Sequence, residues 1–416
     1  MKRAFSAMSG PVYHPELLNE YLRPYYGQLY PAKLICKWLS YGNVPKDYME
    51  RREIAFIFEG DRHHRYQTFK LPVELQSELS KKCPQKIDIG AVYNVPTKLY
   101  KSVPVFKPVE RELVFDIDLT DYDNVRSCCS AANVCDKCWK FIIIAARVLN
   151  VILTKHFGFK HLLWIFSGRR GMHCWVADKE ARKLENNDRS ALAAYLTFHL
   201  NELPFDENYT HPFAEDVFRA ILDSPEIDDL VMEQKWLEDE SFAVIVANYC
   251  PEEKNRKFLL SIIKQTNETS RRWRLIKKFC DKAANQGDTD AKGVNIYAEM
   301  FLRSFLLDRL NPRLDANVTT STNHLLKSPF CVHPKTGSIA VPFSLESIAD
   351  FRLEDVPRID KLVRELGDLQ NRMEVDEPSE NRKVLAYKHT SLKPWIEVFE
   401  KFIDDLLADK TPQVHV

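Results

Sequence analysis

The run Glu112-Leu113-Val114-Phe115-Asp116-Ile117-Asp118-Leu119 sets two carboxylates one residue apart inside an otherwise apolar segment. A strand alternates its side chains at period two. Leu113, Phe115, Ile117 and Leu119 then share one face, and Val114, Asp116 and Asp118 the other. The two Asp Cα atoms stand about 6–7 Å apart with both side chains pointing the same way. On an element suited to a core, such charges repel and lose hydration unless something positive neutralises them. Divalent cations do this, and a pair of cations bridging phosphates is the usual chemical use. The same spacing also describes a strand whose polar face meets water. A calcium loop is excluded, because its sixth position requires glycine and Asp121 stands there. Asp121 and Asp123 lie past the strand end, where solvent is expected.

Directly downstream, Cys128, Cys129, Cys135 and Cys138 crowd together, with Trp139 immediately after. Thiolates in one compact loop suit tetrahedral Zn²⁺, and four cysteines leave no open position, so the site would be structural. Cys135-x-x-Cys138 forms the usual two-ligand knuckle. The vicinal pair Cys128-Cys129 leaves open whether both coordinate, and buried thiols or a redox pair are the competing readings. The other six cysteines are scattered and read as small buried hydrophobes.

Further along, Ser167-Gly168-Arg169-Arg170-Gly171-Met172-His173 joins two apolar runs, His161–Phe166 and Met172–Val176, as a hairpin. Its glycines permit a tight turn and close approach of backbone to a ligand. Its arginines offer planar forks matched to phosphate oxygens, and His173 follows on the outgoing strand. No Gly-Lys-Ser/Thr phosphate loop or dinucleotide fingerprint is present, so a nucleotide would be held by such side chains. Pro312-Arg313-Leu314-Asp315-Ala316-Asn317-Val318 reads as a short strand carrying a third Asp, which two cations need for a full ligand set. Beyond it, His324, Lys327 and His333 sit among apolar residues.

The rest of the chain supplies a frame. Helices are expected within 14–45 with a break near Pro24, a hairpin over Arg52–Phe69, and a strand at Ile87–Tyr93. Phe141–Phe157 reads as an apolar helix, 179–310 as a helical insertion, and Ser338–Phe343 as a strand. Asn371–Asn381 is acidic and reads as a loop, and Ser391–Leu407 as an amphipathic helix. The 416 residues hold 59 Lys+Arg against 59 Asp+Glu, with 45% hydrophobic residues. That balance denies the chain a large non-specific attraction for nucleic acid, so any such binding must be local or aided by a partner. No apolar leader or membrane-length window is seen, which favours a reducing intracellular compartment and leaves the sequons at Asn208, Asn267 and Asn317 unused.

Taken together, Leu113–Asp123, the cysteine cluster, Ser167–His173, Arg313–Asp315 and His324–Pro334 resemble the catalytic small subunit of eukaryotic DNA primase, in the archaeo-eukaryotic primase superfamily. The likeness extends over most of the chain and is weakest between about 185 and 300. It implies a mixed α/β (α+β) primase catalytic fold with an inserted helical subdomain and a structural zinc motif. Residues 1–180 and 311–416 would form the catalytic domain, with the zinc motif at 128–138, and 181–310 the helical subdomain.

The implied activity is synthesis of short RNA primers on single-stranded DNA template from ribonucleoside triphosphates by two-metal nucleotidyl transfer. Glu53, Asp116, Asp118 and Asp315 match catalytic positions, the three Asp holding Mg²⁺ or Mn²⁺. Arg65, Asp88, Ser167, Gly168, Arg169, Arg170, Gly171, His173, His324, Lys327 and His333 match nucleotide-binding positions, and Cys128, Cys129, Cys135 and Cys138 the zinc ligands. Implied partners are a larger primase subunit in a heterodimer and the DNA polymerase alpha complex, with the nucleus as location and no membrane. A repair or gap-filling polymerase of the same superfamily is the alternative, and a non-catalytic zinc-binding scaffold a further one.

Overall fold

Strand-forming residues gather at the two ends of the chain's middle, around a long apolar helix. The computed structural model describes residues 12–42, 47–197, 211–250, 252–280, 291–375 and 385–409. Its strands are β1 (Arg52–Phe58), β2 (Arg62–Gln67), β3 (Lys86–Tyr93), β4 (Pro108–Glu110), β5 (Leu113–Asp118), β6 (Leu162–Phe166), β7 (Gly171–Val176), β8 (Leu326–Lys327) and β9 (Pro342–Phe343). Every pairing among them is antiparallel. One sheet runs β2-β1-β3-β4 with β8 also paired to β3; the other runs β5-β7-β6-β9.

Both expected hairpins form. β1 is flanked on its two edges by β2 and β3, and it is covered on both faces, Ile54 and Phe56 being buried on one and Ile57 on the other. In the second sheet β5 pairs with β7 so that Asp116 faces His173 and Asp118 faces Gly171. β5 is therefore an edge strand, with one side free for another segment.

The apolar helix covers Asp136–Lys155 and buries Phe141, Ile142, Ala145, Leu149 and Ile152. It starts earlier than its apolar run because Cys135 serves as its N-cap, so the cysteine loop feeds straight into it. Helices run through the described parts of 179–310, as expected, and pack on this helix mainly through Pro212–Leu222. The closing helix, Lys393–Ala408, buries Ile396, Phe399, Ile403 and Leu406, and Phe399 meets Trp38 edge-on.

Three expectations need correction. Pro24 does not break the chain's helical course; it ends Leu18–Pro24 and a π-turn, Tyr25–Leu29, carries on. Ser338–Phe343 pairs as a strand only at Pro342–Phe343, with Ser338 and Ile339 making isolated bridges to Arg358 and Val332. The proline supplies no amide to extend the ladder. At 371–381 the helix Ile359–Val375 continues into the acidic stretch, and 376–381 lie outside the described residues.

The two sheets are tied by a buried ion pair. Arg52 on β1 grips Glu112, just before β5, with two bonds of 2.8 and 2.9 Å, and both side chains are fully buried. The Tyr41 hydroxyl donates a third bond to this carboxylate. Burial pushes the Glu112 carboxyl up, but Arg52 and Tyr41 outweigh it and hold it down to about 2. Removing one partner strands the other charge. Arg52→Leu is expected to cost about 3–5 kcal/mol of stability, read from the urea midpoint; an unchanged midpoint would show that Glu112 finds another partner.

Candidate active site

Asp116 and Asp118 project from β5, and a third acid reaches them from far along the chain. Asp315 is the N-cap of a short helix, Ala316–Thr320, its side chain accepting from the Asn317 amide at 3.0 Å. The strand expected at 313–318 is thus corrected. The Asp carboxylate satisfies a free amide of a helical turn, which outweighs the β-branched character of Val318, Thr319 and Thr320. The Asp315 amide donates to the Asp116 carbonyl at 3.1 Å, and the Thr319 hydroxyl to the Val114 carbonyl at 2.8 Å. This helix therefore lies along the free edge of β5.

Asp116, Asp118, Thr120, Asp121, Arg313 and Asp315 line one cavity of about 690 Å³. Burial pushes the Asp116 carboxyl up to about 7, with repulsion from Asp118, Asp315 and Asp121 adding to it and Arg170 opposing. Asp118 accepts from Arg170 Nε at 2.7 and 2.8 Å and from the Thr120 amide and hydroxyl, each at 2.9 Å. His173 lies across the strand pair, Nε2 3.7 Å from Asp116 Oδ1. Burial, then Lys327, lowers its pKa to about 3, so the imidazole is neutral. An all-carboxylate set of oxygens under mutual repulsion suits hard cations such as Mg²⁺ or Mn²⁺.

The turn beside this cavity is shaped by glycine. A Cβ on Gly171 would stand 2.3 Å from the Ile117 carbonyl, so only glycine lets β7 start this close to β5. Gly168 adopts φ +94°, and its Cβ would meet that of His333 at 2.9 Å. Lys327 Nζ donates to the Ser167 carbonyl at 2.9 Å, and the Thr336 hydroxyl to the Gly168 carbonyl at 2.8 Å. Lys327 also sits opposite Asp88 in the β3–β8 pair. Burial lowers the Lys327 ammonium and raises the Asp88 carboxyl, each partly offsetting the other. Burial, then Lys327, Arg169, Lys86 and Lys335, lowers His333 to about 3. Positive charge is thus concentrated around the Gly168 turn. His324 is lowered by burial and then by Arg111, with Asp315 opposing, which places it beside the third acid.

Glu53 lies on the other sheet and does not line the acidic cavity. Arg65 binds its two oxygens at 2.6 and 3.0 Å, and the Tyr93 hydroxyl donates at 3.1 Å. Glu53 is two residues from Ala55, the cross-strand partner of Asp88. Arg170, expected free for phosphate, is occupied by Asp118. Asp121, expected in solvent, lines the cavity, while Asp123 accepts from Arg126 and from the Ala131 amide. The sequence reading missed Lys86, Tyr93 and Thr336. Lys86 could have been found from its period-two spacing to Asp88 on β3.

All four cysteines converge, with ligand atoms within 4.8 Å of one another. Cys135 and Cys138 Sγ are 3.8 Å apart, matching the roughly 3.8 Å edge of a tetrahedron with bonds of about 2.3 Å. Both vicinal cysteines belong to the set. Polar groups suited to thiolates surround it: the Cys135 amide and Arg126 reach Cys138, and Gln234 reaches Cys128 at 3.4 Å. Gln234 also binds the Ser127 amide at 2.8 Å, tying the loop to the helical region. Among the described residues this is the one such group of His, Cys, Asp or Glu. The three aspartates are spread more widely, Asp118 being drawn to Arg170 and Asp315 to its own helix.

The family model for the DNA primase small subunit matches residues 115–345, which span both acidic segments and the cysteine loop. The DNA primase small subunit of Caenorhabditis elegans is 41% identical over 95% of this chain and 100% of its own length. The chain belongs to the DNA primase small subunit family. Similar relatives include the DNA primase small subunits of Drosophila melanogaster, 39% identical over 95% of this chain and 92% of that protein, and Saccharomyces cerevisiae, 34% identical over 94% and 92%. A solved polymerase domain of Mycobacterium tuberculosis ligase D in complex with DNA overlaps at 10% identity, covering 85% of this chain and 96% of that one, with a TM-score of 0.35. Membership makes this primase subunit a nucleotidyltransferase of DNA replication, and a small subunit implies a partner subunit. Among its described residues no helix is long and apolar enough to cross a membrane.

The acidic cavity has a measurable signature. The raised Asp116 pKa means that metal-free protein loses stability as pH rises from about 4 through 7. In EDTA, Asp116→Asn is expected to raise the Tm at pH 8 and to leave it nearly unchanged at pH 4. An equal effect at both pH values would show that Asp116 does not carry the strain.

Proposed function

We propose that this primase subunit synthesises short RNA primers on single-stranded DNA from ribonucleoside triphosphates. The observation that carries this reading is the convergence of Asp116, Asp118 and Asp315 on one cavity beside the cationic Gly168 turn. When bound, divalent cations on these acids supply neutralisation of the triphosphate and a lowered pKa for the attacking 3′-hydroxyl. The protein's own residues hold the substrates in place.

Ser167, Gly168, Arg169, Gly171, Lys327 and His333 form the seat for the β- and γ-phosphates, with backbone and cationic donors facing one turn. Arg170 bridges acids and phosphates, donating to Asp118 on one side. His173, buried beside Asp116, completes the nucleotide-binding set as a neutral donor. His324 flanks Asp315. Glu53, Arg65 and Asp88 border the nucleotide from the other sheet, Glu53 acting as a catalytic acid position oriented by Arg65. Cys128, Cys129, Cys135 and Cys138 hold a structural Zn²⁺ that braces the loop after β5 and takes no part in bond making. Residues 1–180 and 311–416 act as the catalytic domain and 181–310 as a helical subdomain. The larger primase subunit and the DNA polymerase alpha complex are the proposed partners, in the nucleus.

Dinucleotide formation from ribonucleotides on single-stranded DNA tests this reading, whereas deoxynucleotide extension without it would favour a repair polymerase. Asp116→Ala, Asp118→Ala and Asp315→Ala are each expected to cut product formation by about 10³-fold or more while the chain stays folded by circular dichroism, Asp315→Ala at a cost of about 1 kcal/mol for its lost helix cap. Activity retained in any of them removes that acid from the site. Arg170→Ala should raise the nucleotide KM by about tenfold, as for one lost charge-assisted contact; unchanged kinetics would confine Arg170 to the Asp118 pair. Elemental analysis should give about one zinc per chain, and none would return the cysteines to the apolar core.

A further inference from the structure

Apart from Arg65, which is bound to Glu53, β2 and the segment 94–109 form a surface that the polymerase chemistry does not use. Residues 62–69 and 94–109 contain no Asp or Glu, yet carry Arg62, His63, His64, Arg65, Lys98, Lys101 and Lys107. In a chain of zero net charge this is a local excess of cation. Arg62, Lys98, Lys101 and Lys107 are exposed and make no ion pair among the described residues. The acids that border the two segments are engaged elsewhere: Asp61 pairs with Lys86, and Glu110 pairs with Arg182 and accepts from the Tyr48 hydroxyl.

The two segments are held as one platform. The Thr68 and Thr97 hydroxyls bond at 2.7 Å, and Asn94 closes the loop by exchanging bonds with Lys107 at 3.0 and 3.1 Å. Tyr66 stacks on Tyr100 with centroids 4.5 Å apart, and Tyr93 on Phe106 at 4.0 Å. Tyr66 adopts φ +59°, a conformation costly for a bulky side chain. It lies in a bulge where Gln67 pairs with Ile54 but His64 with Phe56. Such bulges re-aim side chains. Here the bulge sends Arg65 to Glu53 and Tyr66 to Tyr100. Leu99, Tyr100, Val105 and Val109 remain exposed around the stacks.

Charges on β2 alone could serve to keep an edge strand from pairing with another chain. That purpose does not call for three lysines and stacked rings off the strand. Acid-free cationic surface interleaved with aromatic faces is what a flexible polyanion with planar bases requires. We infer that the platform of β2 and residues 94–109 binds single-stranded DNA and leads the template toward Glu53 and the acidic cavity. The inference rests on the reading of the chain as a template-directed polymerase. Phosphates pair with Arg62, Lys98, Lys101 and Lys107, and a base lies against the Tyr100 ring. Arg65 and Tyr93, which orient Glu53, are the junction between platform and site.

The test is fluorescence anisotropy of a labelled oligo-dT strand with the full chain across a salt series. The variant is Lys98→Ala/Lys101→Ala/Lys107→Ala. A control, Lys254→Ala/Lys257→Ala/Lys264→Ala, removes the same charge from the exposed face of the helix Glu253–Gln265. The platform variant should lose affinity by at least about tenfold at low salt, and its log–log salt slope should fall by about 2, since each single-strand phosphate contact is worth about 0.7. The control should match the parent. Equal binding by the platform variant, or equal loss in the control, overturns the inference. So does intact DNA binding with lost association to the partner subunit, which would mark a protein-docking face. If the lysines govern DNA binding but the parent forms no dinucleotide, the platform stands and the polymerase reading falls.

Discussion

The amide of Asp315 donates to the carbonyl of Asp116, and on that backbone contact the site depends. β5 is an edge strand, and edge strands present unpaired polar groups. The helix Ala316–Thr320 covers this edge through Asp315 and Thr319, capping the carbonyls of Asp116 and Val114. The same contact that protects the edge delivers a third carboxylate to the two on the strand. Concentrating charge in this way is unfavourable, which is why Asp116 is pushed up to about 7. Arg170 on Asp118, and the Asn317 amide on Asp315, are the compensation the protein provides by itself. The proposed cations would supply the remainder.

Opposite charge is kept a short distance away and held by a different connection. Lys327 belongs to the first sheet through β8, yet its ammonium reaches the Ser167 carbonyl at the turn of the second. The Arg52–Glu112 pair joins the same two sheets at the base of β5. The cationic turn and the acidic strand are therefore fixed relative to one another by buried bonds on both sides. That separation of charge is the basis of the proposed triphosphate seat. The chain's zero net charge hides this local segregation, with acids on β5 and at the start of the short helix and cations around Gly168.

Much of this was legible in sequence because local pattern determined it. Period-two alternation marks β1, β5 and both hairpins, and the crowded cysteines mark a loop whose four thiols converge closely enough to hold a metal ion. The sequence points to Asp315 as a third acid, and the structure puts it in the same cavity, but its conformation is not legible, because an N-cap bond to Asn317 is a two-residue effect that β-branched neighbours conceal. Pro342 limited a strand that apolar character alone suggested. The Arg170–Asp118 pair and the burial of Glu53 under Arg65 depend on tertiary placement. No spacing announces them. The bulge that divides Arg65 from Tyr66 is likewise set by pairing with β1 and not by either residue's own preference.

The most direct test of the central claim is anomalous diffraction from crystals soaked with Mn²⁺ and a ribonucleoside triphosphate. Manganese peaks coordinated by Asp116, Asp118 and Asp315, with phosphates on the Gly168 turn beside Lys327, are the expected result. Manganese bound without Asp315, or a triphosphate seated away from that turn, would contradict the account.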